Sequence, residues 1–154
     1  MSDTEMTFTD AQEQDLRILV EMIIPASEAH GLPGAAEDRI FADILATAEK
    51  QYGAVDAALS ALDSLSQESG DENFAALNAT SRDSVVETFR RAHHREADLL
   101  ATLTVQCYYR DDRIMRALDM ETRPPFPLGF NIDEGDWSLL APVPERQEFY
   151  RKTS

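Results

Sequence analysis

The sequence has a single cysteine and no long apolar run, and both shortages exclude whole classes of protein. Cys107 cannot form a disulfide within the chain, and one thiol cannot by itself hold an iron–sulfur cluster or a structural zinc ion. No run of 18 apolar residues is present, so the sequence predicts no membrane-spanning helix. The acidic N-terminus contains neither an apolar signal core nor a twin-arginine pair, which predicts a cytoplasmic protein.

Basic residues are also scarce. The 154 residues include 14 Lys and Arg against 29 Asp and Glu, a net charge of −15. Such an acidic surface repels phosphate backbones and anionic lipids, so we expect neither nucleic acid binding nor direct membrane insertion. The charge is concentrated in residues 1–80, which carry 16 acids and three bases, whereas residues 81–154 carry 13 acids and 11 bases. The balanced second half is therefore the part that is easier to bury against a partner.

Recognisable catalytic signatures are missing as well. The chain contains no nucleophile elbow, no P-loop and no dinucleotide-binding fingerprint. The nearest approach to a metal site is His93 and His94 with Glu96 and Asp98. Adjacent positions on a helix point about 100° apart, so His93 and His94 cannot both bind one ion. A solvated helix face is the favoured interpretation, and we predict no catalytic, cofactor-binding or metal-binding residue in this chain.

What the sequence does contain is helical periodicity. Apolar residues recur at helical spacing and no sustained strand alternation is present, which predicts a single all-α domain over residues 1–154 with five to seven helices. Residues 1–8 are expected to be frayed and residues 119–154 to form an extended, proline-rich docking tail. Thr9 and Gln12 form a capping-box pattern for the first helix, and Pro25 ends it.

Further along the chain the pattern predicts helix boundaries. A second helix is expected over 35–52, broken by Gly53, and a third over 55–65. Thr80 or Ser84 is the predicted cap of the next helix. The polar residues 90–95 predict a kink or break before an apolar stripe that runs to Tyr108.

Three stretches of this sequence resemble the gluconate 2-dehydrogenase subunit 3 family. They are LRILVEMIIPASEAHGLPGAAE at 16–37, CYYRDDRIMRAL at 107–118, and RPPFPLGF with LLAPVPERQEFY between 123 and 150. The family's tyrosine, proline and glycine positions correspond to Tyr108, Tyr109, Pro124, Pro125, Pro127 and Gly129. Asp112 stands where the family often has proline, and the twin-arginine signal common in the family is absent from this sequence.

The resemblance implies a small, non-catalytic, all-α subunit of a hetero-oligomer. Its partner would be a large subunit of the glucose-methanol-choline class that holds FAD and oxidises a sugar or polyol. This chain would hold no cofactor and would support the folding, stability or export of the large subunit. A periplasmic location would then require export together with that partner.

Aromatic, arginine and proline residues late in the chain predict where such a partner binds. Tyr, Trp and Arg dominate interface hot spots, and prolines pre-order an extended segment. The predicted interface residues are Tyr108, Tyr109, Arg110, Arg113, Arg123, Pro124, Pro125, Phe126, Pro127, Gly129, Phe130 and Trp137. Two alternatives stay open: a stand-alone helical metal-dependent enzyme that uses His93 and His94, and a self-associating structural protein.

Overall fold

The computed structural model of the chain describes residues 7–70, 73–124, 126–129 and 135–140. Its internal contacts divide the chain into two compact units, residues 1–122 and 123–154, which are described separately below. The described residues form six α-helices and no strand, which confirms the predicted all-α fold. The helices are α1 Asp10–Ile23, α2 Asp38–Glu49, α3 Tyr52–Glu68, α4 Ala79–Ala92, α5 His94–Tyr108 and α6 Asp112–Ala117. Short 3-10 turns lie at Glu28–His30, Phe74–Ala76 and Trp137–Leu140.

Helix α5 is the centre of the first unit. It packs against α1, α2, α3 and α4, and its apolar stripe of Leu100, Leu103 and Cys107 is fully buried. Cys107 is therefore a core thiol, and burial raises its pKa. The charged faces of the surrounding helices remain exposed, as expected for a bundle with one apolar stripe per helix.

The helix ends follow local side-chain chemistry. The capping box at the start of α1 is confirmed, because Thr9 accepts from the Gln12 amide while the Gln12 side chain accepts from the Thr9 amide. The prediction of Thr80 or Ser84 as the cap of α4 is wrong. Asn78, which caps as well as serine does, accepts from the Ser81 amide at 3.0 Å and starts the helix earlier.

Two further boundaries differ from the sequence prediction. Phe8, expected in a frayed terminus, is buried and its ring stacks on Tyr52 with centroids 4.8 Å apart, because both rings escape water in this way. Gly53, expected to break a helix, lies in the first turn of α3. The break comes at Gln51, whose φ of −130° and ψ of 37° are not helical.

The predicted break within residues 90–95 is confirmed. α4 ends at Ala92 and α5 begins at His94, and His93 between them has non-helical φ and ψ of −124° and 50°. The His93 ring stacks on Phe89 of the preceding turn, with centroids 5.8 Å apart. One residue therefore redirects the chain, so that α4 and α5 pack on each other rather than forming one long helix.

The first compact unit includes residues 119 and 120, and the docking tail predicted over residues 119–154 stays a prediction. The Asp119 amide donates to Arg116 O at 3.1 Å and the Met120 amide donates to Met115 O at 2.8 Å. These bonds fold residues 119 and 120 back onto the last turn of α6. The boundary between the two units accordingly lies at residue 122.

Candidate partner-binding surface

The arginines of the stretch after α5 are engaged within the chain. Arg113 Nη2 donates to Glu37 Oε2 at 2.7 Å and to Asp111 Oδ2 at 2.9 Å. Asp111 also caps α6 by accepting from the Arg113 amide at 2.8 Å. Hydrogen bonds from the Arg113 guanidinium are the main reason why the pKa values of Glu37 and Asp111 lie below their usual range. This network joins α6 to the N-terminus of α2.

Arg110 makes a second connection to α2. Its Nη2 and Nε donate to Asp43 Oδ2 at 2.7 and 3.1 Å, and Nη2 also donates to Thr47 Oγ1 at 3.0 Å. The ion pair is half exposed, so it contributes little stability by itself. Its effect is to hold the end of α5 against α2 in one orientation.

The two tyrosines at the end of α5 have different environments. Tyr108 is only 3% exposed, and its hydroxyl donates to Pro33 O at 2.9 Å. Tyr109 is 46% exposed and its ring stands edge-on to Tyr108 with centroids 5.2 Å apart. Tyr108 therefore packs in the chain's own core, whereas Tyr109 presents its ring to solvent.

The turn that Tyr108 contacts is held by hydrogen bonds to Glu21. One Glu21 oxygen accepts from the Ala26 amide at 3.3 Å and the other accepts from the Ala36 amide at 3.2 Å. The carboxylate passes so close to Gly34 that a Cβ there would collide with it. A side chain at position 34 would therefore displace the Glu21 carboxylate from the proline-glycine turn at 25–36.

The second unit contains a turn at residues 126–128 that a hydrogen bond between Arg123 and Gly129 spans. Arg123 Nη2 donates to Gly129 O at 2.6 Å, the Phe126–Pro127 peptide is cis, and Gly129 has a φ of +67° that suits glycine. Phe126 is 85% exposed and Leu128 is 82% exposed. The turn consequently presents two large apolar side chains to solvent.

The other predicted interface residues of this unit are only partly described. Pro124 and Pro127 are exposed, and Trp137 in the last 3-10 turn is 74% exposed. Pro125 and Phe130 lie outside the described residues, as does the segment 141–154. The set of interface residues predicted from the sequence therefore stays a prediction.

Exposed apolar residues are concentrated late in the chain. Among the described residues, every large hydrophobic side chain that is strongly exposed lies between 105 and 139. They are Val105, Tyr109, Leu118, Met120, Phe126, Leu128, Trp137 and Leu139. Sequence reasoning missed Val105, Leu118, Met120, Leu128 and Leu139 as surface residues. The exposure of Val105 could have been predicted, because its position is not on the helical face that Leu103 and Cys107 share. Nothing in the sequence predicts the exposure of Leu128.

The histidine cluster considered from the sequence does not become a metal site in the described part of the chain. His93 stacks on Phe89, and no three His, Cys, Asp or Glu side chains there are grouped to hold an ion. Within the same residues, no helix combines the length and hydrophobicity needed to cross a bilayer.

Comparison with known proteins identifies the family. The family model described as gluconate 2-dehydrogenase subunit 3 matches residues 10–121, which span all six α-helices. No curated protein and no solved structure matches the chain significantly. The family match covers two of the three stretches noted in the sequence, at 16–37 and at 107–118. The chain therefore belongs to the gluconate 2-dehydrogenase subunit 3 family.

Proposed function

We propose that this protein is a non-catalytic small subunit that binds and stabilises, or helps to fold, the large subunit of an FAD-dependent sugar or polyol dehydrogenase. FAD and the chemistry belong to the large subunit, which is of the glucose-methanol-choline class. The observation that carries the proposal is the confinement of exposed large apolar side chains, among the described residues, to 105–139. Exposed large apolar side chains that are grouped in this way commonly mark a binding site for another protein, and each of the two units carries four of them.

The composition of this surface favours a protein partner. Tyr109, Phe126 and Trp137 are large rings at 46%, 85% and 74% exposure, and such rings supply most of the energy at protein interfaces. The acidic excess lies elsewhere, since residues 1–80 carry most of the net charge. Residues 105–139 carry seven acids and four bases, so a partner that contacts this segment meets a smaller charge imbalance than one that contacts residues 1–80.

The arginine connections to α2 order the part of this segment that belongs to the first unit. Arg110 and Arg113 are occupied by Asp43, Glu37 and Asp111, so we do not assign them as primary anchors for a partner. They hold the end of α5 and the start of α6 in place before binding. A pre-ordered surface loses less conformational entropy on association, which raises affinity.

The test begins with affinity purification from the native cell. We expect one co-eluting flavoprotein of the glucose-methanol-choline class. The visible absorbance of flavin should elute with that chain and not with the small subunit alone. Phe126→Ala and Trp137→Ala should each weaken association by roughly 1–3 kcal/mol while the melting temperature of the isolated chain stays nearly constant. Arg123→Ala should also weaken association. Because Arg123 donates to Gly129 O, this variant removes a hydrogen bond that holds the turn as well as a side chain that could contact the partner. His94→Ala, which truncates an exposed ring outside this surface, is the matched control.

Three outcomes would contradict the proposal. One is a purified chain that binds flavin stoichiometrically by itself. Another is co-purification with no flavoprotein, together with light scattering that shows a homo-oligomer whose assembly depends on Phe126. The third is a co-purified flavoprotein whose affinity is equal for wild type, Phe126→Ala and Trp137→Ala.

A further inference from the structure

A separate groove lies on the first unit, and none of the residues 105–139 lines it. It has a volume of about 560 Å³ and is bounded by α1, α4 and α5. Its floor is formed by core residues Leu19, Phe89 and Leu100, and its walls include the half-buried Met22 and Val86. The size is within the range of roughly 300–1,000 Å³ typical of small-molecule sites.

The groove exists because α5 carries small residues on this face. Ala97 and Ala101 are one helical turn apart and both line the space between α5 and the other two helices. A larger side chain at either position would occupy it. The groove is therefore a property of two alanines rather than a general looseness of the bundle.

The rim of the groove contains an arginine pair that shares one carboxylate. Arg90 Nη1 lies 3.2 Å from Glu87 Oε2, and Arg91 Nη2 lies 2.7 Å from Glu87 Oε1. One negative charge thus faces two guanidinium groups, and both arginine side chains are more than two-thirds exposed. Asp98 is the other acid on the rim. Each arginine retains donors that fit a second carboxylate.

We propose that this groove binds a single-chain aliphatic carboxylate from solution, with the alkyl chain on the apolar floor and the carboxylate at Arg90 and Arg91. The apolar floor with charge only at the rim matches an amphiphile that has one polar end. A protein segment fits less well, because a stable protein interface buries about 800 Å² on each partner and the groove is a local feature. The rim carries two arginines and two acids, so its charge is balanced, whereas the whole chain has a net charge of −15.

The experiment titrates the full chain with dodecanoate below its micelle concentration and follows methyl signals by NMR. We expect saturable shifts of the Leu19, Val86 and Leu100 methyl groups. Dodecyltrimethylammonium, with the same chain length and the opposite charge, should bind at least about tenfold more weakly. Replacement of both Arg90 and Arg91 by alanine should weaken dodecanoate binding by roughly tenfold or more. Arg95→Ala, which removes a neighbouring charge outside the groove lining, is the matched control and should bind as wild type does.

Ala101→Phe separates a binding site from a packing defect. We expect this variant to stay folded, since it fills existing space, and to lose dodecanoate binding. If the variant unfolds, the smaller Ala97→Val change provides the same test. The proposal is wrong if dodecanoate shifts methyl groups elsewhere only, or if both amphiphiles bind equally. It is also wrong if anionic vesicles alone shift these methyl groups, or if groove-filling variants weaken association with the co-purified large subunit while dodecanoate does not bind.

Discussion

The effect of a side chain at position 34 can be tested by a double-mutant cycle. A Cβ at this position would collide with the Glu21 carboxylate, the flexible end of a side chain that can move aside. If it moves, the Ala26 and Ala36 amides lose a charged acceptor, now at 3.3 and 3.2 Å. Hydrogen bonds to charged groups contribute about 1.5–3 kcal/mol at most, and these are long, so we expect Gly34→Ala to cost about 1–3 kcal/mol.

The decisive measurement repeats the substitution in a Glu21→Ala background. The collision is then absent and Gly34 is not in the left-handed region, so the second substitution should cost nothing. It should even stabilise by about 0.4–1 kcal/mol, because alanine restricts the unfolded chain. Thermal unfolding of the four proteins provides the assay, and for a chain of this size each kcal/mol shifts the melting temperature by about 2–4 °C.

A matched control comes from another glycine in the same unit. Gly53 lies in α3, and a Cβ added there would meet open space. Gly53→Ala should therefore stabilise the protein by about 0.5–1 kcal/mol, in the opposite direction to Gly34→Ala. The reasoning is refuted if Gly34→Ala is equally costly with and without Glu21, since backbone conformation would then be responsible. It is refuted too if Gly34→Ala leaves the wild-type melting temperature unchanged.

Three other predictions concern charge and burial. Burial raises the pKa of Asp15 in the folded protein. The stability that this group contributes is therefore fully present below the usual aspartate pKa and is lost as pH rises through the raised pKa. Asp15→Asn should raise the melting temperature at pH 7 and leave it unchanged near pH 3. Arg113→Ala should lower the free energy of unfolding by about 1–2 kcal/mol at pH 7. This loss relative to wild type should shrink as pH falls through the lowered pKa values of Glu37 and Asp111, because their carboxylates become neutral. Tyr108→Phe should cost about 1 kcal/mol in denaturant unfolding, because Pro33 O loses its donor.

The Arg113 prediction has a matched control, and each of the three predictions has an outcome that would contradict it. The control for Arg113→Ala is Arg116→Ala, which removes an exposed pair with Asp112 one turn away and should change stability by at most about 0.5 kcal/mol. An Arg113 effect that persists unchanged at acidic pH would rule out the ion-pair explanation. A destabilising Asp15→Asn at pH 7 would show that the charged form is favoured in the folded protein. A neutral Tyr108→Phe would mean that Pro33 O finds water instead.

Much of the helical framework was predictable from local sequence. The apolar stripes placed the helices, the capping box at Thr9 marked the start of α1, and the polar run at 90–95 marked the break before α5. These signals depend on residues within a few positions of one another, which is why they can be read without a structure. The boundary at Gly53 was wrong because tertiary packing of α3 outweighed glycine's weak helix propensity.

The candidate surface depended on contacts that no local pattern reports. The sequence by itself placed aromatic and arginine residues together between 108 and 137, and it determined the charge imbalance between the two halves. Only the tertiary structure decided that Tyr108 turns inward to Pro33 while Tyr109 faces solvent, and that Arg110 and Arg113 reach acids of α2 more than 60 residues away. The sequence states the type of each side chain directly. Burial and ion-pair partners instead depend on which helices pack together, and that packing brings together residues that are far apart in the chain.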